Sequence, residues 1–315
     1  MTRVNRFSRP WLFVIAWLTV SCGTGLPESR AASPGAATFS TLQTRLLERN
    51  ADLEQFRSPG PFDVTVQKDR DLRLSPTERY KADAYWASPA EKAPLVIILH
   101  GHDSTKEAHA KQAANLASWG MHTLAVQLPK AGPWDANGRA LARIVSFIHR
   151  TPSAIDRRID ASRIVLAGHS FGAYAVTVAM AQGTPVTGGI LLDAALFGNA
   201  SPDFMRKISK PMMLLAADEA VSPVRYREYF FSYLGGDVAK VSVKDATHED
   251  AQYPSQTSLE NAGVDPDITE ALQLTFVSAL TAAAFSLSAT RTLDYAWASF
   301  SEAIRSGRFL DPKKK

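Results

Sequence analysis

The sequence predicts an α/β fold, in which one domain is built on a mostly parallel central sheet with helices on both faces. Short apolar runs rich in β-branched residues recur along the chain, as expected for strands buried on both faces. Helical stretches separate these runs, and strands that alternate with helices form parallel sheets. The strand-like runs are residues 95–99, 122–128, 163–167, 189–192 and 212–216, and the helical stretches include 106–119, 138–150 and 172–182.

The composition fits a single globular domain. The chain has 315 residues, of which 45% are apolar and 21% are charged, enough to bury a sizeable core. Its net charge of +4 includes three arginines near the N-terminus and three lysines, 313–315, that we expect to form a solvated tail. The rest is close to neutral and has no clustered basic face, so we expect no nucleic-acid partner. The oligomeric state is not predicted.

The first 21 residues have the pattern of a secretory signal. Arg3, Arg6 and Arg9 precede an uncharged apolar run over residues 11–20. This run is too short to favour a permanent membrane span. The sequence therefore predicts export, with the protein periplasmic, lipid-anchored to the cell envelope, or secreted.

Cys22 follows this run directly, where a bacterial lipoprotein signal is cleaved and acylated. Lipidation there would attach the protein to a membrane, whereas cleavage among Ala31, Ala32 and Ser33 would release it, and both alternatives stay open. No disulfide can form within the chain, because Cys22 is its only cysteine. Residues 22–40 are rich in Gly, Pro, Ala and Ser, which is typical of a flexible tether.

The domain is predicted to cover residues 41–315. A leading helix is expected over residues 41–56, strands near 62–66 and 80–86, and closing helices over 267–306. Residues 271–290 carry no charge and are long enough to span a membrane. Because most of them are Ala, Ser, Thr or Gln, a helix in the core of the domain explains them at least as well.

The segment from Gly168 to Gly172 carries the strongest chemical signal. It reads Gly-His-Ser-Phe-Gly, and it lies between a buried strand and a helix. A sharp turn there lifts the Ser170 hydroxyl above the sheet edge, and the flanking glycines leave room for strained backbone and close packing. The amides at the start of the helix favour negative charge that develops nearby. Ser170 is therefore the predicted nucleophile.

His248 is the predicted general base. A serine hydroxyl is a poor nucleophile until a base takes its proton, and after a serine of this kind the chain supplies an acid and then a histidine. Of the seven histidines in the chain, only His248 follows Ser170, and it comes just after a strand-like segment at residues 240–243.

Two aspartates are candidates for the acid. Asp193 ends the run at 189–192, Asp218 follows the run at 212–216, and both lie between Ser170 and His248 in the chain. In sites with a serine nucleophile of this kind, the acid more often follows the strand that Asp218 follows. Residues 221–223 also resemble the loop that often comes after the acid at that position. We predict Asp193 and keep Asp218 as the alternative.

The loop after the first core strand is predicted to complete the site. It begins at His100-Gly101-His102, and we expect the backbone amides of His102 and Phe171 to form the oxyanion hole. The histidines near this loop match no usual zinc spacing, so no metal is expected. Trp134, in a Gly/Pro loop at the same edge, is expected mainly to pack, although it could also contact substrate.

Residues 61–248 resemble the α/β-hydrolase superfamily. Within it, the chain is similar to platelet-activating factor acetylhydrolases and to dienelactone-hydrolase-like and cutinase-like esterases. The resemblance rests on residues 100–101, 168–172, 192–197 and 247–248. The acetylhydrolases carry a similar Leu-Asp-Ala stretch with their acid at the equivalent of Asp193, which supports that choice. Ala195 and Leu196 replace bulkier residues, so the substrate does not carry over, and Ser170 stands where true dienelactone hydrolases use cysteine.

The resemblance implies a serine esterase that needs no cofactor and acts on a small-molecule or lipid-like ester by two-step acyl transfer. Two alternatives stay open. The same residues could cleave amides or thioesters, because acyl specificity depends on pocket shape. The chain could also be a non-catalytic envelope lipoprotein that binds a ligand or partner.

Overall fold

A computed structural model describes residues 38–49, 51–88, 92–129, 131–198, 201–254 and 265–315. These residues belong to one compact unit that spans Ala36–Lys315. The predicted signal at residues 1–21, Cys22 and the tether up to residue 37 lie outside the described residues.

A nine-stranded sheet forms the centre of this unit, and its order is β1-β2-β4-β3-β5-β6-β7-β8-β9. The six central strands, from β4 to β8 in this order, are parallel. At the edges, β2 pairs antiparallel with β4, β1 pairs antiparallel with β2, and β9 pairs antiparallel with β8. The predicted fold class is confirmed. The strands are β1 Asp63–Arg73, β2 Arg79–Ser88, β3 Ala93–Leu99, β4 His122–Gln127, β5 Ile159–His169, β6 Gly188–Leu192, β7 Met212–Ala216, β8 Val238–Val243 and β9 Phe309–Lys314.

Helices cover both faces of the sheet, and the sheet separates two apolar layers. The helices α3, α4 and α5 pack on one face, and α1, α2, α6, α7 and α8 on the other. Every residue of β3, β6 and β7 is buried between these layers, which is why their sequences are continuously apolar. The helices are α1 Phe39–Leu47, α2 Ala110–Ser118, α3 Trp134–Arg150, α4 Phe171–Ala181, α5 Arg227–Tyr233, α6 Pro266–Ala289, α7 Asp294–Ser299 and α8 Ser301–Arg305.

Helix α6 contains the uncharged stretch that raised the question of a membrane span. By length and composition it could cross a bilayer, but 78% of its most apolar window is buried inside the fold. It packs against α2 and the sheet, and Asn115 on α2 donates a hydrogen bond of 2.9 Å to its Thr281. This is the environment of a core helix.

Three local features differ from the sequence expectations. The leading helix begins at Phe39, capped by Thr38, and ends at Leu47, so the domain starts slightly before residue 41. A separate 3-10 helix, Glu54–Arg57, follows it. The terminal lysines are no free tail, because β9 pairs with β8, and Lys315 exchanges two backbone hydrogen bonds with Val238.

Candidate active site

Ser170 occupies a strained turn between β5 and α4. Strand β5 ends at His169, helix α4 begins at Phe171, and Ser170 has φ 55° and ψ −125°. A residue with a side chain rarely adopts positive φ, and holding it there costs about 1–3 kcal/mol. The turn places Ser170 at the carboxyl edge of the sheet, next to the positive end of the α4 dipole.

Close packing around Ser170 explains two of the glycines. A Cβ atom on Gly172 would collide with the carbonyl oxygen of His100, and a Cβ atom on Gly101 would lie 2.9 Å from the Ser170 Cβ. The backbone at His100 and Gly101, which follows β3, therefore packs directly against the turn that carries Ser170, and a side chain at Gly101 or Gly172 would prevent this contact.

Backbone hydrogen bonds connect Ser170 to β6 and to the loop after it. The Ser170 amide donates to the Leu192 carbonyl at 3.0 Å, and the Ala195 amide donates to the Ser170 carbonyl at 3.2 Å. These bonds bracket Asp193, which lies at the end of β6 with φ 34°.

The Asp193 carboxylate is paired with His248. Its Oδ2 accepts a hydrogen bond of 2.6 Å from His248 Nδ1, and the two side chains are 2% and 17% exposed, respectively. Oδ1 accepts from the Ala217 amide at 2.9 Å, and Oδ2 also accepts from the Ser222 hydroxyl at 3.2 Å. A proton held on Nδ1 leaves Nε2 of a neutral His248 as the basic nitrogen.

Asp218 binds backbone amides instead of an imidazole. Its carboxylate accepts from the amides of Ala220 at 2.9 Å and Asp245 at 2.8 Å. Its own amide donates to the Ala246 carbonyl at 2.9 Å. Burial would raise the pKa of Asp218, but these amide bonds, together with the positive charges of Arg227 and Lys244, lower it below its ordinary value. Asp218 thus joins the loop after β7 to the loop that carries His248.

His169 is a contact of His248 that sequence reasoning missed. Its Nε2 donates to the His248 carbonyl at 3.0 Å, and the two rings lie 4.4 Å apart. Burial, helped by the nearby imidazoles of His248 and His109, lowers the pKa of His169 well below its ordinary value, so the ring is neutral near pH 7. Its place before Ser170 was visible in the sequence, but nothing there indicated a partner 79 residues away.

Ser222 was also missed as a site residue. It lies in the segment 221–223 that made Asp218 a candidate, yet its hydroxyl donates to Asp193. The sequence therefore indicated a functional loop at residues 221–223, but the Ser222 hydroxyl binds the carboxylate of Asp193 and not that of Asp218.

The two predicted oxyanion residues lie side by side. The rings of His102 and Phe171 are 5.7 Å apart and meet edge to face, although one follows β3 and the other starts α4. His102 is exposed, with Nε2 3.3 Å from the exposed carboxylate of Asp103. Trp134 lies at the first position of α3 and is fully buried, with its ring 5.9 Å from Phe171 and 6.1 Å from His100.

One carboxylate cluster in the described part of the chain has spacing that suits a cation, and it lies outside this site. Asp69, Asp83 and Glu107 converge there. The buried Lys106 ammonium pairs with all three, at 3.0 Å from Asp69 and Asp83. Burial would lower the pKa of Lys106, but the hydrogen bonds to these carboxylates raise it. Two protein cations thus already pair with this cluster, because Lys68 also lies 2.7 Å from Asp83.

Comparison with known proteins supports the architecture and indicates a hydrolase. The sequence model of the alpha/beta hydrolase family matches residues 96–307, about two thirds of the chain and all of the site described above. The comparison with curated proteins finds no match.

Proposed function

The chain belongs to the alpha/beta hydrolase family, and from this premise we propose that it is a serine hydrolase that cleaves carboxylic esters. The observation that carries the proposal is the 2.6 Å bond between His248 Nδ1 and Asp193. It occurs at the same sheet edge as Ser170, whose turn has the conformation expected of a nucleophile. Asp193 is the proposed acid, and Asp218 is not.

The proposed reaction has two steps. Ser170 Oγ attacks the ester carbonyl carbon while its proton passes to His248 Nε2, and a tetrahedral oxyanion forms. The carbon–oxygen bond to the alcohol then breaks, and Nε2 gives the proton to the departing oxygen. A water molecule repeats the sequence on the acyl-enzyme: His248 takes its proton, the acid departs, and the proton returns to Ser170.

The surrounding residues support this chemistry. Asp193 holds His248 in the required tautomer and stabilises the imidazolium that forms. We propose that the amides of His102 and Phe171 bind the oxyanion, an interaction whose loss typically costs about 10²–10³-fold in turnover. Their side chains already touch, which is consistent with a shared target. No step requires a metal or an organic cofactor.

Ser170→Ala tests the proposal directly. Because the proposed nucleophile is removed, we expect a folded protein with little more than background hydrolysis of p-nitrophenyl acetate. A fluorophosphonate should add once to the natural protein, at Ser170, as read by intact mass and peptide mapping. Ser232→Ala, which changes an exposed serine on α5, serves as the matched control and should keep full activity and labelling.

Other outcomes would redirect the proposal. Labelling elsewhere, or full activity in Ser170→Ala, would contradict the assignment of the nucleophile. Faster turnover of amide or thioester substrates would keep the catalytic residues but change the bond. A protein that neither labels nor hydrolyses any of the three would instead be a binding protein.

We also propose that the protein is exported by residues 1–21, which lie outside the described residues. In a bacterial host we expect the protein in the envelope or medium with a shortened N-terminus, measured by fractionation and N-terminal mass. If Cys22 is lipidated, Cys22→Ala should lose membrane association and the mass of the lipid. An unchanged mass and location in that variant would favour cleavage near Ala32, and an intact N-terminus in the cytoplasm would refute export.

A further inference from the structure

Three solvent-accessible aromatic side chains converge beside Ser170 from three separate segments of the chain. His102 follows β3, Phe171 follows the nucleophile, and Phe197 follows β6. The Phe171 ring lies 5.7 Å from His102 and 5.5 Å from Phe197, both edge to face. The bond from the Ala195 amide to the Ser170 carbonyl holds the Phe197 loop against the nucleophile. We call these three residues the aromatic shelf.

Buried aromatic residues support the shelf from below. Trp134 lies 5.9 Å from Phe171, Tyr174 lies 6.4 Å from Phe197, and both are fully buried. The Tyr174 hydroxyl donates to Asp135 at 2.7 Å, which anchors its ring. The shelf therefore rests on a floor of buried rings, which favours a flat group lying against it.

The shelf and the segment that carries His248 pack against opposite apolar layers of the fold. Phe171 and Phe197 pack on the apolar layer of α3 and α4. The segment that carries His248 is bound to the opposite layer, where Gln112 of α2 donates to the Ala251 carbonyl at 2.9 Å and Ala251 is part of that layer's core.

This arrangement separates the two halves of an ester. His248 must protonate the departing alcohol, so the alcohol lies on the His248 side. The acyl group then lies on the other side, over the shelf. Aromatic rings prefer edge-to-face or offset contact with other rings, and the shelf offers both ring faces and ring edges. We propose that the preferred substrates are esters of aromatic carboxylic acids, an inference that rests on the proposed ester hydrolysis.

The test compares acyl groups of equal size on one non-aromatic alcohol. Acid release from ethyl benzoate and ethyl cyclohexanecarboxylate is titrated at constant pH, and each kcat/KM is divided by the rate of spontaneous alkaline hydrolysis. We expect the aromatic acyl group to be favoured about tenfold, the size of one or two aromatic contacts. A second pair, benzyl acetate and cyclohexylmethyl acetate, places the ring on the alcohol and should show no such preference.

Phe197→Leu should reduce the aromatic-to-alicyclic ratio about tenfold, whereas Phe197→Tyr should retain it. Phe204→Leu is the matched control, because Phe204 is also partly exposed and contacts Tyr174 at 5.9 Å but is not part of the shelf. Its ratio should equal that of the natural protein. Thermal melting of each variant separates lost specificity from lost folding.

Three results would overturn the inference. Equal corrected rates for the two ethyl esters would show that there is no aromatic preference. A preference seen only between benzyl acetate and cyclohexylmethyl acetate would show that the shelf contacts the alcohol and not the acyl group. An unchanged ratio in folded Phe197→Leu would exclude the shelf as its source. In all three the ester is still hydrolysed and Ser170 still labels, so the proposed function would survive. If no ester is hydrolysed and Ser170 is not labelled, both the aromatic preference and the proposed ester hydrolysis are refuted.

Discussion

Two buried aspartates follow neighbouring strands of the sheet but bind different partners. Asp193 follows β6, Asp218 follows β7, and both are buried, at 2% and 7% exposure. Each carboxylate accepts hydrogen bonds from the chain around it. Asp193, however, pairs with the ring of His248, while Asp218 pairs with the amides of Ala220 and Asp245.

The difference shows that two aspartates at similar positions in the sheet can have different roles. Asp193 bonds to the imidazole, and Asp218 bonds to the backbone segment that carries it. The two are joined through the loop after β7, since Ala217 and Ser222 donate to Asp193, and the Ser222 amide donates to the Asp218 carbonyl at 2.8 Å. One aspartate can therefore determine the tautomer of His248 while its neighbour determines where His248 lies.

The largest effect is expected from Asp193→Asn. The amide has no negative charge to stabilise the imidazolium, and it allows His248 the wrong tautomer, so turnover should fall about 10⁴-fold. The measurement is kcat on p-nitrophenyl acetate, with folding checked by circular dichroism. A folded variant that stays within about tenfold of the natural rate, while Asp218→Asn loses activity, would reverse the two roles.

Asp218→Asn should have an intermediate effect. Asparagine keeps one acceptor oxygen but turns an NH₂ group toward a backbone amide, so the loops should loosen, with a loss of about 1–3 kcal/mol in unfolding free energy. We expect kcat to fall about tenfold through displacement of His248. Retention of natural stability and turnover would mean that Asp218 does not hold the loops.

The stability loss in Asp218→Asn should itself depend on pH. The pKa of Asp218 is lowered in the folded protein, so the carboxylate contributes stability above its unfolded pKa of about 3.9, and this contribution is lost as pH falls through the lower folded value. The variant does not titrate there. The difference in unfolding free energy should therefore be larger at pH 7 than at pH 3, and a constant difference would exclude the charge as its source.

The smallest effect is expected from Ser222→Ala. Removing this hydroxyl leaves the Asp193 carboxylate with one fewer hydrogen-bond donor, while the bonds from Ala217 and His248 remain. We therefore expect kcat on p-nitrophenyl acetate to fall only a few-fold, with folding checked by circular dichroism. A loss as large as that of Asp193→Asn would show that Ser222 does more than orient the carboxylate.

Much of the architecture followed from the sequence because its cause is local. Continuous apolar runs predicted the buried strands, and the sequence around Ser170 indicated a strand-to-helix turn. The choice between Asp193 and Asp218 was harder, because both end a strand and their partners depend on loops folded far from either. The partner of His169 was missed for the same reason. The start of α3 at Trp134 was missed because Gly132 and Pro133 just before it resemble a loop. Strand β9 was missed because Pro312 and the terminal lysines hide any strand pattern, and pairing with β8 creates the strand.

The two outermost strands affect whether the protein aggregates at high concentration. Strand β1 alternates charges over residues 68–73, and its pairing with β2 is interrupted by a bulge between Gln67 and Arg70. Strand β9 ends in two lysines after Pro312, which lacks an amide hydrogen. An incoming strand from another molecule would meet charge, irregular spacing or a missing donor at either edge. We expect both edges to resist intermolecular strand pairing, so that the long sheet does not become a template for aggregation.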